Sequence, residues 1–160
     1  MPELVCDTSS LQYLHQLGCL NLLHELADRI IVPRAVVDEL AVGSEAGHSV
    51  PIPQAFDWIE VCRPSALSAE PRMDDLGAGE TEVLMLVRER ADAIAVIDDK
   101  LARVIAENLG IKFTGTLGIL VEAKRAGLID SVGSLLDRLQ ELRFRVSPSV
   151  RALILREAGE

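Results

Sequence analysis

The chain has 160 residues, of which 49% are hydrophobic and 26% are charged. This balance is typical of one folded globular domain and excludes a disordered chain. No apolar run reaches the roughly 20 residues that a bilayer span needs, and the start lacks a secretion signal, so we expect a cytoplasmic protein. The net charge of −9 argues against a protein that coats nucleic acid, although bound cations would still allow an enzyme that acts on it.

Apolar segments of strand length alternate with helical periodicity, which predicts β-α-β units around a mostly parallel sheet. The first predicted strand covers residues 4–7, and Gly18 is expected to stop the helix that follows. A second helix around LNLLHELA precedes a β-branched strand at 29–32. Pro33 is then suited to the first turn of the helix RAVVDELAV, which Gly43 is predicted to close.

Two loops are predicted next, residues 43–54 and the segment PSALSAEPRMDD, with IEVCR as a strand between them. GETEVLMLVRERA is a helix that is apolar on nearly every side, and residues 93–97 form the apolar strand expected at the centre of a covered parallel sheet. The helix LARVIAENLG, the strand IKFT and three more helices complete the chain. We therefore expect a single domain over 1–160, with the helices at about 131–158 as an extension.

Acidic residues occur where strands and helices meet. Asp7 follows the first strand, at the edge of the sheet where open α/β proteins bind ligands. Ser9 or Ser10 could cap the next helix and leave Asp7 for a ligand, or Asp7 could itself be the cap. Both alternatives stay open.

Helical angles separate two further pairs of acids. Glu39 flanks the apolar face of its helix while Asp38 points to solvent, although a carboxylate at such an edge is most often an ordinary boundary residue. Glu80 is predicted to point inward and Glu82 toward the charged side. A partner for the helix dipole is the alternative for Glu80, but that role does not require an inward face.

Two adjacent acids follow the central strand. One of Asp98 and Asp99 can cap the next helix, and Asp98, which continues the strand, is the better ligand candidate. Four acids in one crevice would repel one another without cations, and Mg²⁺ and Mn²⁺ prefer carboxylate oxygens. Such a site can activate water for phosphoryl displacement.

Five segments carry a family resemblance, and they occur in the order VCDTSSL, VPRAVVDEL, LGAGETEVLML, AVIDDKLARVIAENLGI and TGTLGILVEAKRAGLI. Together they resemble the PIN-domain nucleases, which include the VapC-type toxins of toxin–antitoxin pairs. IDDKLAR before GTLG looks like a less characterised prokaryotic PIN subgroup. The resemblance implies a three-layer α/β/α fold with a mostly parallel central sheet and extra C-terminal helices.

The resemblance also implies an activity and a site. Metal-activated water would attack an RNA phosphodiester and leave a 5′-phosphate and a 3′-hydroxyl. The implied ligands of Mg²⁺ or Mn²⁺ are Asp7, Glu39, Glu80 and Asp98, with Asp99 nearby and the fourth ligand open between Asp98 and Asp99. The implied pocket hydroxyls are those of Thr8, Ser9 and Thr116. The cations next to the acids in sequence, which could contact RNA phosphate or be solvated, are Arg34, Lys100 and Arg103.

Other classes of function are less well supported. GAGETE lacks the third glycine of a dinucleotide-binding turn, and neither HExxH nor GxSxG occurs. The main alternative is a PIN-like module that binds RNA or protein without catalysis. The apolar segments LGILV and LLDRLQEL suggest a surface for a partner, so we expect a homodimer and, from the resemblance, an antitoxin protein as a possible partner.

Overall fold

The computed structural model describes residues 1–65 and 75–160, with a parallel sheet at its centre. The strands are β1 (Glu3–Cys6), β2 (Arg29–Pro33), β3 (Ile59–Cys62), β4 (Ala93–Val96) and β5 (Phe113–Thr114). Every neighbouring pair is parallel, and the order across the sheet is β3-β2-β1-β4-β5. The predicted α/β class with a parallel sheet is therefore confirmed.

Helices flank this sheet. In the described ranges they are α1 (Thr8–Gln16), α2 (Asn21–Leu26), α3 (Arg34–Glu45), α4 (Ala78–Glu89), α5 (Lys100–Asn108), α6 (Thr116–Arg125), α7 (Val132–Glu141) and α8 (Pro148–Glu157). A short 3-10 turn, Pro53–Ala55, precedes β3. None of the helices in residues 1–65 and 75–160 is long and apolar enough to cross a membrane.

The core is built on β1, which lies between β2 and β4. Val5 is fully buried and has Ile31 of β2 on one side and Ala95 of β4 on the other. The continuous apolar character of these strands follows from the helices that cover the sheet. Leu136 of α7 and Ile154 of α8 belong to the same buried cluster as the strands.

Two details differ from the predictions, and a third prediction falls mostly outside the described residues. Helix α3 continues through Gly43 to Glu45, and the glycine that follows its end with a positive φ of 90° is Gly47, so the prediction that Gly43 closes the helix is wrong. Pro33 ends β2 and occupies the N-cap position of α3, before its first turn. The predicted loop PSALSAEPRMDD lies mostly outside the described residues, since 66–74 are not among them.

The apolar segments proposed as a partner surface are packed inward. Ile119 and Leu120 of LGILV, and Leu136 and Leu139 of LLDRLQEL, are fully buried. These apolar side chains pack in the core of the domain. The prediction that the two segments supply an exposed surface is therefore wrong. The large apolar side chains that remain exposed include Leu101 and Val104 of α5 and Val150 and Leu153 of α8.

The strand order creates a crevice at the carboxyl edge of the sheet. The chain passes from β1 to β2 on one side of β1, whereas β4 pairs with the other side. In open α/β sheets ligands bind at such a reversal of strand order. Asp7 directly follows β1 and Asp98 follows β4 after one residue, so both acids lie at this point.

Candidate metal centre

Asp7 lies at the centre of the crevice and is 1% exposed. Its Oδ1 accepts a hydrogen bond from the Ser10 N–H at 2.8 Å, which makes Asp7 the N-cap of α1. Its Oδ2 accepts from the Asp98 N–H at 3.3 Å. The alternative in which Ser9 or Ser10 caps the helix is therefore wrong: Asp7 caps α1 with one oxygen and faces β4 with the other.

The surroundings of Asp7 oppose its negative charge. Burial, and next the Asp98 carboxylate, raise the pKa of Asp7 from 3.8 to about 7, although hydrogen bonds from Ser10 and from the Asp98 N–H act in the opposite direction. Without a cation nearby, burial and the Asp98 carboxylate therefore favour the protonated form of Asp7. A divalent cation would favour the ionised carboxylate and release that proton.

Asp98 is fixed by donors on both oxygens. The Thr116 N–H donates to Oδ1 at 2.8 Å, the Thr116 hydroxyl donates to Oδ2 at 2.7 Å, and the Ser9 hydroxyl reaches Oδ2 at 3.2 Å. Thr116 is fully buried and is the first residue of α6. The Asp98 carboxylate is thus held at the N-terminus of α6 in a defined orientation.

Asp99 has a different role from its neighbour. Its side chain accepts the Ala102 N–H at 2.9 Å and caps α5. Asp99 is exposed, whereas Asp98 is half-buried in the crevice. The expectation that one of the two acids caps the helix is confirmed, and Asp99 is that acid.

Glu39 reaches the crevice from α3. The Thr8 hydroxyl donates to its Oε1 at 2.6 Å, and the Gly79 N–H donates to its Oε2 at 3.4 Å. A Cβ atom on Gly79 would overlap Oε1 of Glu39, so the lack of a side chain at residue 79 makes room for the carboxylate. Asp38 points to solvent, as predicted, with its side chain 65% exposed.

Glu80 is half-buried in the first turn of α4. Burial raises the pKa of Glu80, the Glu39 and Asp99 carboxylates add to this effect, and the N–H groups of Glu80 itself and of Gly77 oppose it. A Cβ atom on Gly77 would lie 2.6 Å from an oxygen of Glu80 and 3.7 Å from one of Glu39. The carboxylates of Glu39 and Glu80 therefore meet beside Gly77, over the N-terminal end of α4.

The helical angle of Glu82 predicts only that it lies on the charged side of α4. In the structure its side chain also contacts the start of α3. Its Oε1 accepts the N–H of Ala35, in the first turn of α3, at 2.8 Å. Helix α3 begins after Pro33, which supplies no capping side chain. Because proline has no side chain that can accept a hydrogen bond, the sequence indicates that the first N–H groups of α3 need an acceptor from elsewhere.

The acids of the crevice share one kind of partner. Each accepts an N–H from the first turn of a helix: Ser10 of α1 for Asp7, Gly79 of α4 for Glu39, Thr116 of α6 for Asp98, and Ala102 of α5 for Asp99. Helix N-termini carry partial positive charge and stabilise anions. Within residues 1–65 and 75–160, none of these acids nor Glu80 forms an ion pair with lysine or arginine.

The carboxylate and hydroxyl oxygens of the crevice suit a hard divalent cation as ligands. The side chains, however, do not converge on one position where an ion could bind. Carboxylate and hydroxyl oxygens are the ligands that Mg²⁺ and Mn²⁺ prefer. No group of three or more acidic, histidine or cysteine side chains among the described residues is close enough to share an ion. Asp7 with Asp98, and Glu39 with Glu80, form two neighbouring pairs. Rotation of these carboxylates would be needed to bring three of them onto one ion.

The three cations singled out in the sequence are placed differently from one another. Arg34 pairs with Asp38 on the outside of α3, with Nε 3.4 Å from Oδ1. Lys100 is exposed at the start of α5. Arg103 donates from Nε to the Ile97 carbonyl at 3.0 Å, and its guanidinium lies 5.4 Å from the centre of the Phe113 ring.

The comparisons with known proteins agree with this architecture. The family DUF3368, described as a PIN domain, matches residues 3–160, a range that includes every acid of the crevice. No curated protein matches the chain at a significant level. PIN domains are generally nucleases and generally use divalent metal ions. The match covers nearly the whole sequence, and the chain belongs to the PIN-domain family.

Proposed function

We propose that this PIN domain is an endoribonuclease that requires Mg²⁺ or Mn²⁺, with Asp7, Glu39, Glu80 and Asp98 as the metal ligands. The observation that carries the proposal is the gathering of four acids from four segments at the carboxyl edge of the sheet, without a lysine or arginine partner among the described residues. Buried or crowded carboxylates are costly unless they are paired or bind a cation. Asp98 is preferred to Asp99 because Asp98 is half-buried in the crevice, whereas Asp99 is exposed and caps α5.

The residues of the chain would orient these ligands and handle a proton. Thr116 and Ser9 hold Asp98, and Thr8 holds Glu39, so that their carboxylates keep fixed directions. Asp7 would bind a cation as the ionised carboxylate, without its proton. When bound, the metal supplies activation of water and stabilisation of charge on the phosphate oxygens. The proposed products carry a 5′-phosphate and a 3′-hydroxyl.

The proposed setting is a cytoplasmic toxin–antitoxin pair in which this chain is the toxin. The support is the resemblance to VapC-type proteins and the exposed apolar side chains of α5 and α8, which are Leu101, Val104, Val150 and Leu153. Such residues suit contact with an antitoxin protein or with a second copy of the chain. Light scattering at micromolar concentration tests the homodimer, and a mass of one chain would count against it.

Cleavage of a mixed single-stranded RNA pool in the presence of Mn²⁺ or Mg²⁺ tests the activity. The wild type is compared with Asp7→Asn and Glu80→Gln, two changes that remove charge with little change in shape. We expect both to lose at least about a hundredfold in rate, because several kcal/mol of charge stabilisation depend on the ligands. Glu82→Gln is the matched control, since Glu82 lies on the same helix but binds Ala35.

Two results would overturn the proposal. One is a wild type that cuts no RNA with either metal, and the other is folded Asp7→Asn and Glu80→Gln variants that cut as fast as the Glu82→Gln control. Either result would leave the alternative of a PIN-like module that binds RNA or protein without catalysis. Circular dichroism and thermal unfolding of each variant establish that it is folded.

A further inference from the structure

Arg103 is held on two sides next to the acid crevice. Its Nε donates to the carbonyl of Ile97, the residue immediately before Asp98, and its guanidinium lies over the ring of Phe113 in β5. A hydrogen bond to a fixed carbonyl and a cation–π contact together restrict the rotamers of a long side chain. The guanidinium is therefore pre-oriented at the carboxyl ends of β4 and β5.

Gly115 provides the space for this arrangement. A Cβ atom on Gly115 would overlap Nη2 of Arg103, and it would lie 2.7 Å from Oδ1 of Asp98 and 3.0 Å from the Ile97 carbonyl oxygen. The backbone of Gly115 is extended, a conformation open to any residue, so the requirement is one of space. We call the set of Arg103, Ile97, Phe113 and Gly115 the arginine clamp.

The outer nitrogens of Arg103 remain available to a ligand. Nε is used by Ile97, but Nη1 and Nη2 donate to no group in residues 1–65 and 75–160. Among those residues the fully buried side-chain nitrogen that lacks a partner belongs to Arg151, so the Nη atoms of the partly buried Arg103 are not closed off from solvent. No ion pair joins Arg103 to Asp98, although both border Gly115.

These contacts describe a fixed guanidinium with free donors beside a carboxylate cluster. A guanidinium fork matches the geometry of a phosphate group and binds it through two hydrogen bonds. RNA must bring one phosphate to the acids, and its neighbouring phosphates meet a surface that repels them. The fixed guanidinium of Arg103 at the rim of the crevice offsets that repulsion where the RNA strand passes.

We infer that Arg103 binds an RNA backbone phosphate next to the one at the acids, and that Gly115 is a positioning residue that lets the guanidinium reach it. This inference rests on the proposed function, because it takes the same RNA strand as ligand. It separates Arg103 from the other two cations: Arg34 is paired with Asp38, and Lys100 is an exposed side chain on the outer start of α5.

Binding of a short fluorescein-labelled single-stranded RNA, measured by anisotropy in EDTA so that no cleavage occurs, tests the inference. Arg103→Ala should weaken binding about tenfold, as expected for loss of a hydrogen-bonded charged contact. The slope of log affinity against log salt should fall by about 0.7, the value for one phosphate of a single strand. Arg103→Lys should retain the slope but not the full affinity, because lysine cannot form the bidentate contact.

Gly115→Ala tests the positioning role. It should weaken RNA binding by a similar factor to Arg103→Ala, and it should have no further effect when Arg103 is already alanine, since the two changes remove the same contact. Gly43→Ala is the control for an added methyl group, because a Cβ atom there would lie 3.7 Å from a methyl carbon of Val50, an ordinary van der Waals contact. Lys100→Ala is the control for loss of a positive charge and should change affinity much less than Arg103→Ala.

The outcomes separate this inference from the proposed function. Wild-type binding of RNA without cleavage in Mn²⁺ or Mg²⁺ would remove the nuclease proposal and leave the clamp to be judged by the binding data. The inference is overturned if the wild type binds no RNA, if Arg103→Ala binds as the wild type does, or if Gly115→Ala weakens binding equally in the Arg103→Ala background. If Gly115→Ala does not fold, the two Arg103 variants decide the matter.

Discussion

At the amino ends of the strands, acids and arginines alternate and pair. Oε1 of Glu3 in β1 lies 2.7 Å from Nε of Arg90, and Oε2 of Glu3 lies 3.6 Å from Nη1 of Arg29. Nη2 of Arg29 lies 2.6 Å from Oε2 of Glu60 in β3. At the carboxyl ends of the same strands the acids of the crevice have no such partners in the described parts of the chain. Their contacts are helix N–H groups and hydroxyls.

The contrast shows how one residue type serves two purposes in one sheet. An acid paired with arginine has its charge neutralised, and removing the partner mainly affects stability. An acid held by a helix N-terminus has no side-chain cation to neutralise it. The helix dipole is a weaker partner than a full cation, so these acids remain able to bind one. Four predictions test whether the two edges differ in this way.

The largest effect should come from added metal. At a hundred times its dissociation constant, Mn²⁺ should stabilise the wild type by about 2.7 kcal/mol and raise its melting temperature by several degrees. Asp7→Asn should lose most of this shift, because it removes a charged ligand. Glu3→Gln, at the other edge, should keep it. An equal rise in melting temperature with Mn²⁺ in the wild type and in Asp7→Asn would contradict the idea that the carboxyl edge binds the metal.

The pH dependence of metal-free stability should identify Asp7. Burial raises the pKa of Asp7 from its ordinary value of 3.8 to about 7 in the folded state. The folded state therefore binds the proton more tightly than the unfolded state and loses stability as the pH rises between these values. The stability of Asp7→Asn relative to the wild type should therefore rise by about 2 kcal/mol between about pH 5.5 and pH 8. Chemical denaturation in EDTA at both pH values measures the difference. A difference in stability between variant and wild type that is the same at both pH values would contradict the assignment.

Removing a single hydroxyl should have an intermediate effect. Thr116→Val keeps the shape of a fully buried side chain but removes its donor to Asp98, which should cost about 1–2 kcal/mol of folding free energy. RNA cleavage should fall because Asp98 loses its fixed orientation, and Thr116→Ser should restore most of the rate. Denaturant unfolding together with cleavage assays would check both effects. Loss of stability without loss of rate would reduce Thr116 to a packing role.

The smallest effect should come from the amino edge. Glu3→Gln weakens its pairs with Arg29 and Arg90 and should destabilise the protein by about 0.5–1 kcal/mol, with a smaller difference at high salt. RNA cleavage should be unchanged, since the residue lies at the opposite end of the strands. A large loss of activity in a folded Glu3→Gln protein would show that the two edges are not independent.

The sequence was sufficient to predict the parallel sheet and the edge at which the acids gather. Strand and helix patterns alternate clearly, and an acid that ends a parallel strand must lie at the carboxyl edge. The position of Asp98 and Asp99 before α5 also predicted that one of them caps the helix, and the structure identifies Asp99 as that residue. These predictions needed only local pattern and the geometry of parallel strands.

The contacts of each carboxylate could not be predicted, because their donors are remote in sequence. The Asp98 N–H that contacts Asp7 is 91 residues away, and the Gly79 N–H that contacts Glu39 is 40 residues away. Glu82 was placed by its angle on α4, whereas its partner lies on α3. For the same reason the local sequence does not indicate that Gly79 leaves space for Glu39, or that Gly115 leaves space for Arg103 and Asp98.

The order of the strands also sets when the crevice is completed during synthesis. A growing chain contains β1, β2 and β3, with Asp7 and Glu39, well before β4 and α6 deliver Asp98 and Thr116. Until β4 pairs with β1, Asp7 has no acidic neighbour and Asp98 has no fixed position. As a nuclease of the proposed kind, the chain would be inactive during synthesis until β4 and the start of α6 have been made and have joined β1.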